Sequence, residues 1–191
     1  MEVQGPPGFL YHPAFITAGE EAALVQSVRE LAFGEVKMRG VVARRRTAHF
    51  GWLYGYETWR IEPGPPIPAF LLPLRDRLAE RVGVEADRLA EVLVTEYTPG
   101  AGIGWHRDAP MFGVVVGVSL LGSCRLRLRR ATETRAVELA PRSAYVLDGE
   151  ARTAWQHSIP AARTLRYSLT FRTLRRSARA TRKTNDIATL P

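Results

Sequence analysis

His106 and Asp108 stand two residues apart in the stretch GIGWHRDAPM, and a further histidine, His157, follows in AWQHSIP. An extended backbone sends residues i and i+2 to the same side, so an imidazole and a carboxylate at this spacing can grip one ion. Two histidines and a carboxylate on one face, with other positions left open, suit non-haem Fe(II) in oxygenases; zinc hydrolases use similar ligands. The chain has four histidines and a single cysteine, Cys124, which excludes a multi-cysteine cluster. His12 and His49 have no carboxylate two residues away and are weaker candidates.

The stretch TLRYSLTFR, residues 164–172, supplies a second chemical feature. Arg166, Ser168, Thr170 and Arg172 fall on one face of a strand, while Leu165, Leu169 and Phe171, with amphipathic Tyr167, fall on the other. Turned into a barrel, the cationic face would let Arg166 and Arg172 hold a small dicarboxylate beside the metal by bidentate contacts. The alternative is a half-buried edge strand with that face in water.

The elements that must position these groups change character along the chain. Residues 18–33, AGEEAALVQSVRELAF, set Leu24, Val28, Leu31 and Ala32 on one helical face, with Glu20 and Glu21 at the N-terminal end. FLLPLRDRLAERV repeats Leu71, Leu74, Leu78 and Val82 as a second helix, with Pro73 in its first turn. Between them, residues 37–61 are dense in arginine and aromatics, with glycines that would permit tight turns or mobile loops, and do not read as an ordinary core element. From residue 91 onward the alternation of EVLVTEY, FGVVVGVSLL, CRLRLRR, RAVEL, SAYVL and TLRYSLTFR predicts strands. Helices followed by strands point to an α+β protein whose C-terminal half closes as an antiparallel sandwich or barrel.

At 191 residues, 46% hydrophobic and 24% charged, the chain is expected to form one well-packed domain. No run approaches the ~20 apolar residues of a membrane span, and the first residues show no basic region followed by an apolar run. A cytoplasmic, monomeric protein with a reduced cysteine is therefore the expectation. The 27 Lys and Arg against 19 Asp and Glu leave +8, nearly all of the basic residues being arginine. That balance favours anionic partners, nucleic acid among them. Arg44, Arg45 and Arg46, with Arg175, Arg176, Arg179 and Arg182, are candidates to follow a phosphate backbone.

TEYTPGAGIGWHRD, WQHSIP and RYSLTFR, in this order, cover most of residues 92–173 and resemble the AlkB-like iron(II)/2-oxoglutarate-dependent dioxygenases. Two positions depart from the family pattern: Ser168 stands for the asparagine of R-x-N-x-x-x-R, and Thr95 for that of N-x-Y, whose Tyr97 matches. The resemblance implies a double-stranded β-helix (jelly-roll) core over 91–173, N-terminal helices and a nucleotide-recognition lid over about 35–68. These make one domain, 1–174, followed by a basic tail, 175–191. It implies Fe(II) at His106, Asp108 and His157 as the catalytic centre, with 2-oxoglutarate and O2 as co-substrates. Arg166 and Tyr97 would meet the distal carboxylate of 2-oxoglutarate, Thr95 and Ser168 would line its site, and Arg172 would stand near the iron-bound end. AHFGWLYGYETW followed by PGPPIPAF is similar to the family's lid, making Trp52, Tyr54 and Tyr56 candidates to stack on a base; Arg107, between the ligands, is a further candidate for substrate contact. The implied function is oxidative removal of N-alkyl groups from bases in DNA or RNA. The alternatives are the same chemistry on a protein or small molecule, or a catalytically silent nucleic-acid-binding module.

Overall fold

The computed structural model describes residues 5–38, 40–55 and 60–175. Strands β1 (Phe9–His12), β2 (Gly34–Met38), β3 (Val41–Gly55), β4 (Arg60–Pro63), β5 (Leu89–Tyr97) and β6 (Ile103–His106) precede β7 (Phe112–Leu121) and β8 (Cys124–Arg130). The chain continues through β9 (Glu133–Leu139), β10 (Ala144–Leu147), β11 (Gln156–Ile159) and β12 (Arg166–Leu174). Helices α1 (Ala18–Arg29), α2 (Leu72–Val82) and the short α3 (Gly149–Thr153) are interspersed.

The strands form two antiparallel sheets. The larger runs β1-β10-β7-β12-β5-β3-β2 with β4 added to β3, and the smaller runs β6-β11-β8-β9. Side-chain alternation gives each sheet two distinct faces. On one face of the larger sheet Val92, Val94, Val116, Val118, Leu169 and Phe171 pack against Leu24 and Val28 of α1 and Leu74 and Leu78 of α2. On its other face Tyr97, Val115, Tyr145 and Leu147 meet Leu126, Leu128, Val137 and Leu139 of the smaller sheet. Burial of each such large side chain contributes roughly 1.5–3 kcal/mol. The architecture is the jelly-roll arrangement of a double-stranded β-helix, with the even-numbered face of β12 turned into the space between the sheets.

The helices are anchored by local chemistry. Thr17 caps α1 by accepting from the Glu20 amide at 3.2 Å while Glu20 accepts from the Thr17 amide at 2.7 Å. Glu21 then ties α1 to the sheet by accepting from the Leu121 amide at 2.8 Å and from Arg142 at 3.2 Å. Pro73 lies in the first turn of α2, and Gly83 closes that helix in the left-handed region at φ 70°.

Two expectations change. Residues 37–61 are not turns and loops where described: β3 is fifteen residues long and pairs with β2, β4 and β5. Its arginines obscure a strand, and the charge of one of them is met across the ladder. Arg46 donates to Glu96 at 2.8 Å and lies over the Phe33 ring, so part of its charge is met within the sheet. His157 sits on a short strand of its own, β11. Strand β6 ends at His106, so Asp108 lies in the loop that follows.

Candidate functional site

The two histidines meet because β6 and β11 are neighbours. His106 and His157 are register partners, and their ring centroids lie 4.2 Å apart. Asp108 Oδ1 is 3.7 Å from His106 Nε2 and 4.0 Å from His157 Nε2, and one ligand atom from each of the three lies within 4.8 Å of the others. His106 Nδ1 stands 2.9 Å from the Gly104 carbonyl. That oxygen can only accept, so Nδ1 carries the proton and the Nε2 lone pair is left for a metal. Burial pushes His157 down to about 4, against the opposing pull of Asp108. Burial also works to raise the Asp108 carboxyl, but Arg172, both histidines and Arg152 outweigh it and hold the group well below the usual carboxylate range. At neutral pH His157 is neutral and Asp108 anionic, the protonation states a divalent cation requires.

A buried charge network aims the carboxylate. Arg172 donates through Nε to Asp108 Oδ2 at 3.3 Å and through Nη1 to Glu91 Oε2 at 2.7 Å. Arg152 on α3 donates to the carbonyls of Ala109, Phe112 and Gly113 at 2.7, 2.9 and 3.0 Å, holding the loop just beyond Asp108 in shape. Further along β12, Arg166 is wholly buried, lies over the Tyr97 ring at 5.2 Å and donates to Ser119 Oγ at 2.8 Å. Its Nε and Nη1 are buried and have no protein partner. Thr95 and Ser168, the two departures from the family pattern, are cross-strand partners on β5 and β12.

The mouth is shaped by a glycine. Gly51 in β3 has φ +79°, and a Cβ there would fall 2.0 Å from the Ala90 carbonyl oxygen, so only glycine permits this bend. Before the bend the odd-numbered residues of β3 share a face with Thr95 and Glu91; beyond it Tyr54 faces the site, its ring 6.2 Å from that of Phe112. Trp52, two residues before Tyr54 on the same hairpin, is 37% exposed. Tyr54, Arg107, Asp108, Pro110, Arg152 and Arg175 are among the residues lining a cleft of about 450 Å³. Arg107 also borders an adjoining cleft with Arg129 and Arg130, and donates to the Thr153 carbonyl at 3.2 Å. Trp105 faces outward, covered by Arg127 and Arg129 at 5.0 and 4.4 Å. Tyr56, Arg176, Arg179 and Arg182 lie outside the described residues.

Residues 8–172 match the family described as the 2OG-Fe(II) oxygenase superfamily. The chain is 29% identical over 182 residues to an Arabidopsis thaliana protein named "Alkylated DNA repair protein ALKBH8 homolog", covering 81% of this chain and 51% of that one. A zebrafish "Probable RNA/DNA demethylase ALKBH6" is 31% identical over 121 residues, covering 63% of this chain and 49% of that one. The protein is an AlkB-like 2OG-Fe(II) oxygenase. This oxygenase spans about half the length of those two relatives. In fold it is similar to OsALKBH1, with a TM-score of 0.69, 15% identity and coverage of 89% and 98% of the two chains. It is also similar to a Pseudomonas putida prolyl-4-hydroxylase, with a TM-score of 0.59, 18% identity and coverage of 89% and 94%.

The oxygenase uses Fe(II), 2-oxoglutarate and O2, and its residues fit them. Two imidazoles and a carboxylate form a facial donor set suited to iron, and the unpartnered donors of buried Arg166 suit a carboxylate. Among the described residues no helix is long and apolar enough to cross a membrane. Sequence reasoning passed over Glu91 and Arg152. Glu91 had a signal, a carboxylate at the head of an apolar strand, but Arg152 had none, because its partners are backbone carbonyls about forty residues away.

Proposed function

We propose that this oxygenase removes N-alkyl groups oxidatively from bases of nucleic acid. The observation that carries the reading is the convergence of Tyr54, Arg107 and Arg175 on the cleft that contains Asp108. An extracted base loses stacking worth roughly a few kcal/mol, which aromatic walls such as Tyr54 and Trp52 recover in part. The arginines around the mouth support an anionic substrate. Arg107, Arg127 and Arg129 bond to a carbonyl, a hydroxyl and a side-chain amide respectively, so their positive charge is not neutralised by these partners. Stacking on Trp105 also holds Arg127 and Arg129 in place, lowering the entropy lost when a phosphate binds. The names of the Arabidopsis and zebrafish relatives, which concern alkylated DNA repair and RNA/DNA demethylation, point the same way.

In this reading His106 and His157 would hold iron through Nε2 and Asp108 through a carboxylate oxygen, while Arg166 would pair with the distal carboxylate of 2-oxoglutarate. The bound iron, 2-oxoglutarate and O2 supply hydroxylation of the N-alkyl carbon, yielding succinate and CO2. The N-hydroxyalkyl base then releases an aldehyde and regains its N–H. Arg172 and Arg152 act by keeping the Asp108 carboxylate aimed, and Tyr54 and Trp52 by presenting the alkylated edge of the base.

The test is succinate and aldehyde release from N-methylated bases in matched DNA and RNA oligonucleotides, read by mass spectrometry beside His106→Ala. Trp52→Ala should impair turnover of the oligonucleotide and spare uncoupled conversion of 2-oxoglutarate. Inertness toward every methylated oligonucleotide, with turnover of an acidic peptide, would replace this reading with a protein substrate.

A further inference from the structure

His49 is not one of the three grouped ligands, yet its imidazole stands at the outer end of a line of charges that finishes on Asp108. Its Nδ1 lies 3.8 Å from Glu91 Oε1. Glu91 Oε2 accepts from Arg172 Nη1 at 2.7 Å, and Arg172 Nε donates to Asp108 Oδ2 at 3.3 Å. The two histidines of the triad face the other oxygen, Asp108 Oδ1. The side chains of Asp108, Arg172 and Glu91 are at most 9% exposed, whereas that of His49 is 44% exposed. Of these four groups, His49 is the one a molecule in the mouth can touch.

The sheet explains this placement. Between β5 and β3, Glu91 pairs with Gly51 and Leu93 with His49. Glycine leaves no side chain opposite Glu91, so His49, two residues back on the same face, reaches it along the diagonal. The apolar core between the sheets draws on β1, β5, β7 and β10 of the larger sheet and includes no described residue of β3. The smaller sheet therefore leaves His49 uncovered. Beyond Gly51 the same strand carries Trp52 and Tyr54, and Tyr54 lines the cleft that contains Asp108.

Each carboxylate in this line serves two partners, so a gain on one side is a loss on the other. A carboxylate only accepts, so the ring nitrogen of His49 that faces Glu91 carries a proton. The separation is too long for a hydrogen bond but short enough for the polarised N–H to draw on the Glu91 charge. What His49 takes, Arg172 loses; Arg172 then leans further on Asp108 and competes with a cation for its oxygens. Withdrawing His49 reverses each step, and Asp108 is released to the metal.

We propose that His49 is a positioning residue that couples the occupant of the mouth to the metal: a phosphate oxygen of the substrate strand draws the imidazole off Glu91, and Asp108 then holds the metal more tightly. By linkage, metal in the triad strengthens the hold on the strand by the same factor. The phosphate rests on the nucleic-acid reading, whereas the line from His49 to Asp108 stands apart from it.

The experiment is Mn(II) calorimetry on the metal-free protein. His49→Ala should tighten Mn(II) about two- to fivefold, the range of a half-exposed charge contact. His49→Asn, whose amide N–H stands in place of the Nδ1 proton, should keep the wild-type value. In a Glu91→Gln background His49→Ala should have no effect, which separates action through Glu91 from the direct field of the ring on the metal. A methylated single-stranded oligonucleotide, its own binding followed by fluorescence anisotropy, should tighten Mn(II) in the wild type and leave His49→Ala unmoved. Unchanged Mn(II) affinity in His49→Ala, or an equal gain in the Glu91→Gln background, overturns the proposal, as does an oligonucleotide effect that survives His49→Ala. Failure of the wild type to bind any oligonucleotide overturns the nucleic-acid reading and the phosphate with it, while the metal measurements by themselves decide the line from His49 to Asp108.

Discussion

Glu91→Ala should destabilise the metal-free protein and loosen its grip on metal in the same variant. Glu91 Oε2 lies 2.7 Å from Arg172 Nη1, and the two side chains are 3% and 8% exposed. With charge centres ~4 Å apart, an effective dielectric constant of ~20 gives about 4 kcal/mol of attraction. Removing one partner of a buried pair typically costs ~3–5 kcal/mol, because the other charge stays buried. Asp108 Oδ2, 3.3 Å from Arg172 Nε, still compensates part of that charge. The loss should therefore fall near ~3 kcal/mol, or a drop of roughly 6–12 °C in melting temperature for a chain of this size. Glu91→Gln retains an acceptor but no charge, and should lose about half as much. Freed from Glu91, Arg172 turns fully onto Asp108 and competes with the cation for its oxygens, so metal affinity should fall about tenfold. Urea denaturation and Mn(II) calorimetry on the metal-free protein measure the two effects. A stability change under ~0.5 kcal/mol, as at an ordinary surface site, or an undiminished metal affinity would refute the restraint assigned to Glu91.

Arg166→Ala should weaken 2-oxoglutarate by roughly a hundredfold or more while sparing Mn(II), because a buried carboxylate loses its cation; equal loss of both ligands in calorimetry would show a collapsed site instead. In the metal-free protein His157 titrates near 4 when folded against an ordinary 6.5. The unfolded chain thus takes the proton first, and stability should fall by about 3 kcal/mol as pH drops from about 6.5 to about 4. Denaturation midpoints measured across that window should lose this slope in His157→Gln; an identical slope would assign it to another group. Gly51→Ala should cost more than the ~1–2 kcal/mol of a left-handed non-glycine residue, since its Cβ also meets the Ala90 carbonyl, and an unchanged melting curve would show that the bend relaxes freely.

Elements whose code is local were legible in the sequence. Strict alternation in CRLRLRR and the apolar run FGVVVGVSLL coincide with β8 and β7, residue for residue. The cationic face of TLRYSLTFR does turn into the barrel, because its odd-numbered residues are the apolar ones that the helices cover. β3 was obscured for a physical reason: arginine carries a long aliphatic stem and Arg46 finds Glu96 across the sheet, so a paired, mostly half-exposed strand reads as a charged loop. β6 and β11 are four residues each, too short for a period to emerge.

The sequence by itself determined the kinds of group available and the face on which each would sit, because alternation along a strand depends only on the backbone. It could nominate His106, Asp108 and His157, and Arg166 and Arg172, on type and spacing. Which groups touch was decided by strand order and register. Arg172 reaches Glu91 across 81 positions, and Arg152 reaches Ala109 across 43, through neighbours that no local pattern specifies. The same holds for Tyr145, whose ring lies over Gly117 only because β10 and β7 pair in one register. Long-range pairing sets the electrostatics of the site, since burial and the nearest charge both come from distant segments folded into one cavity.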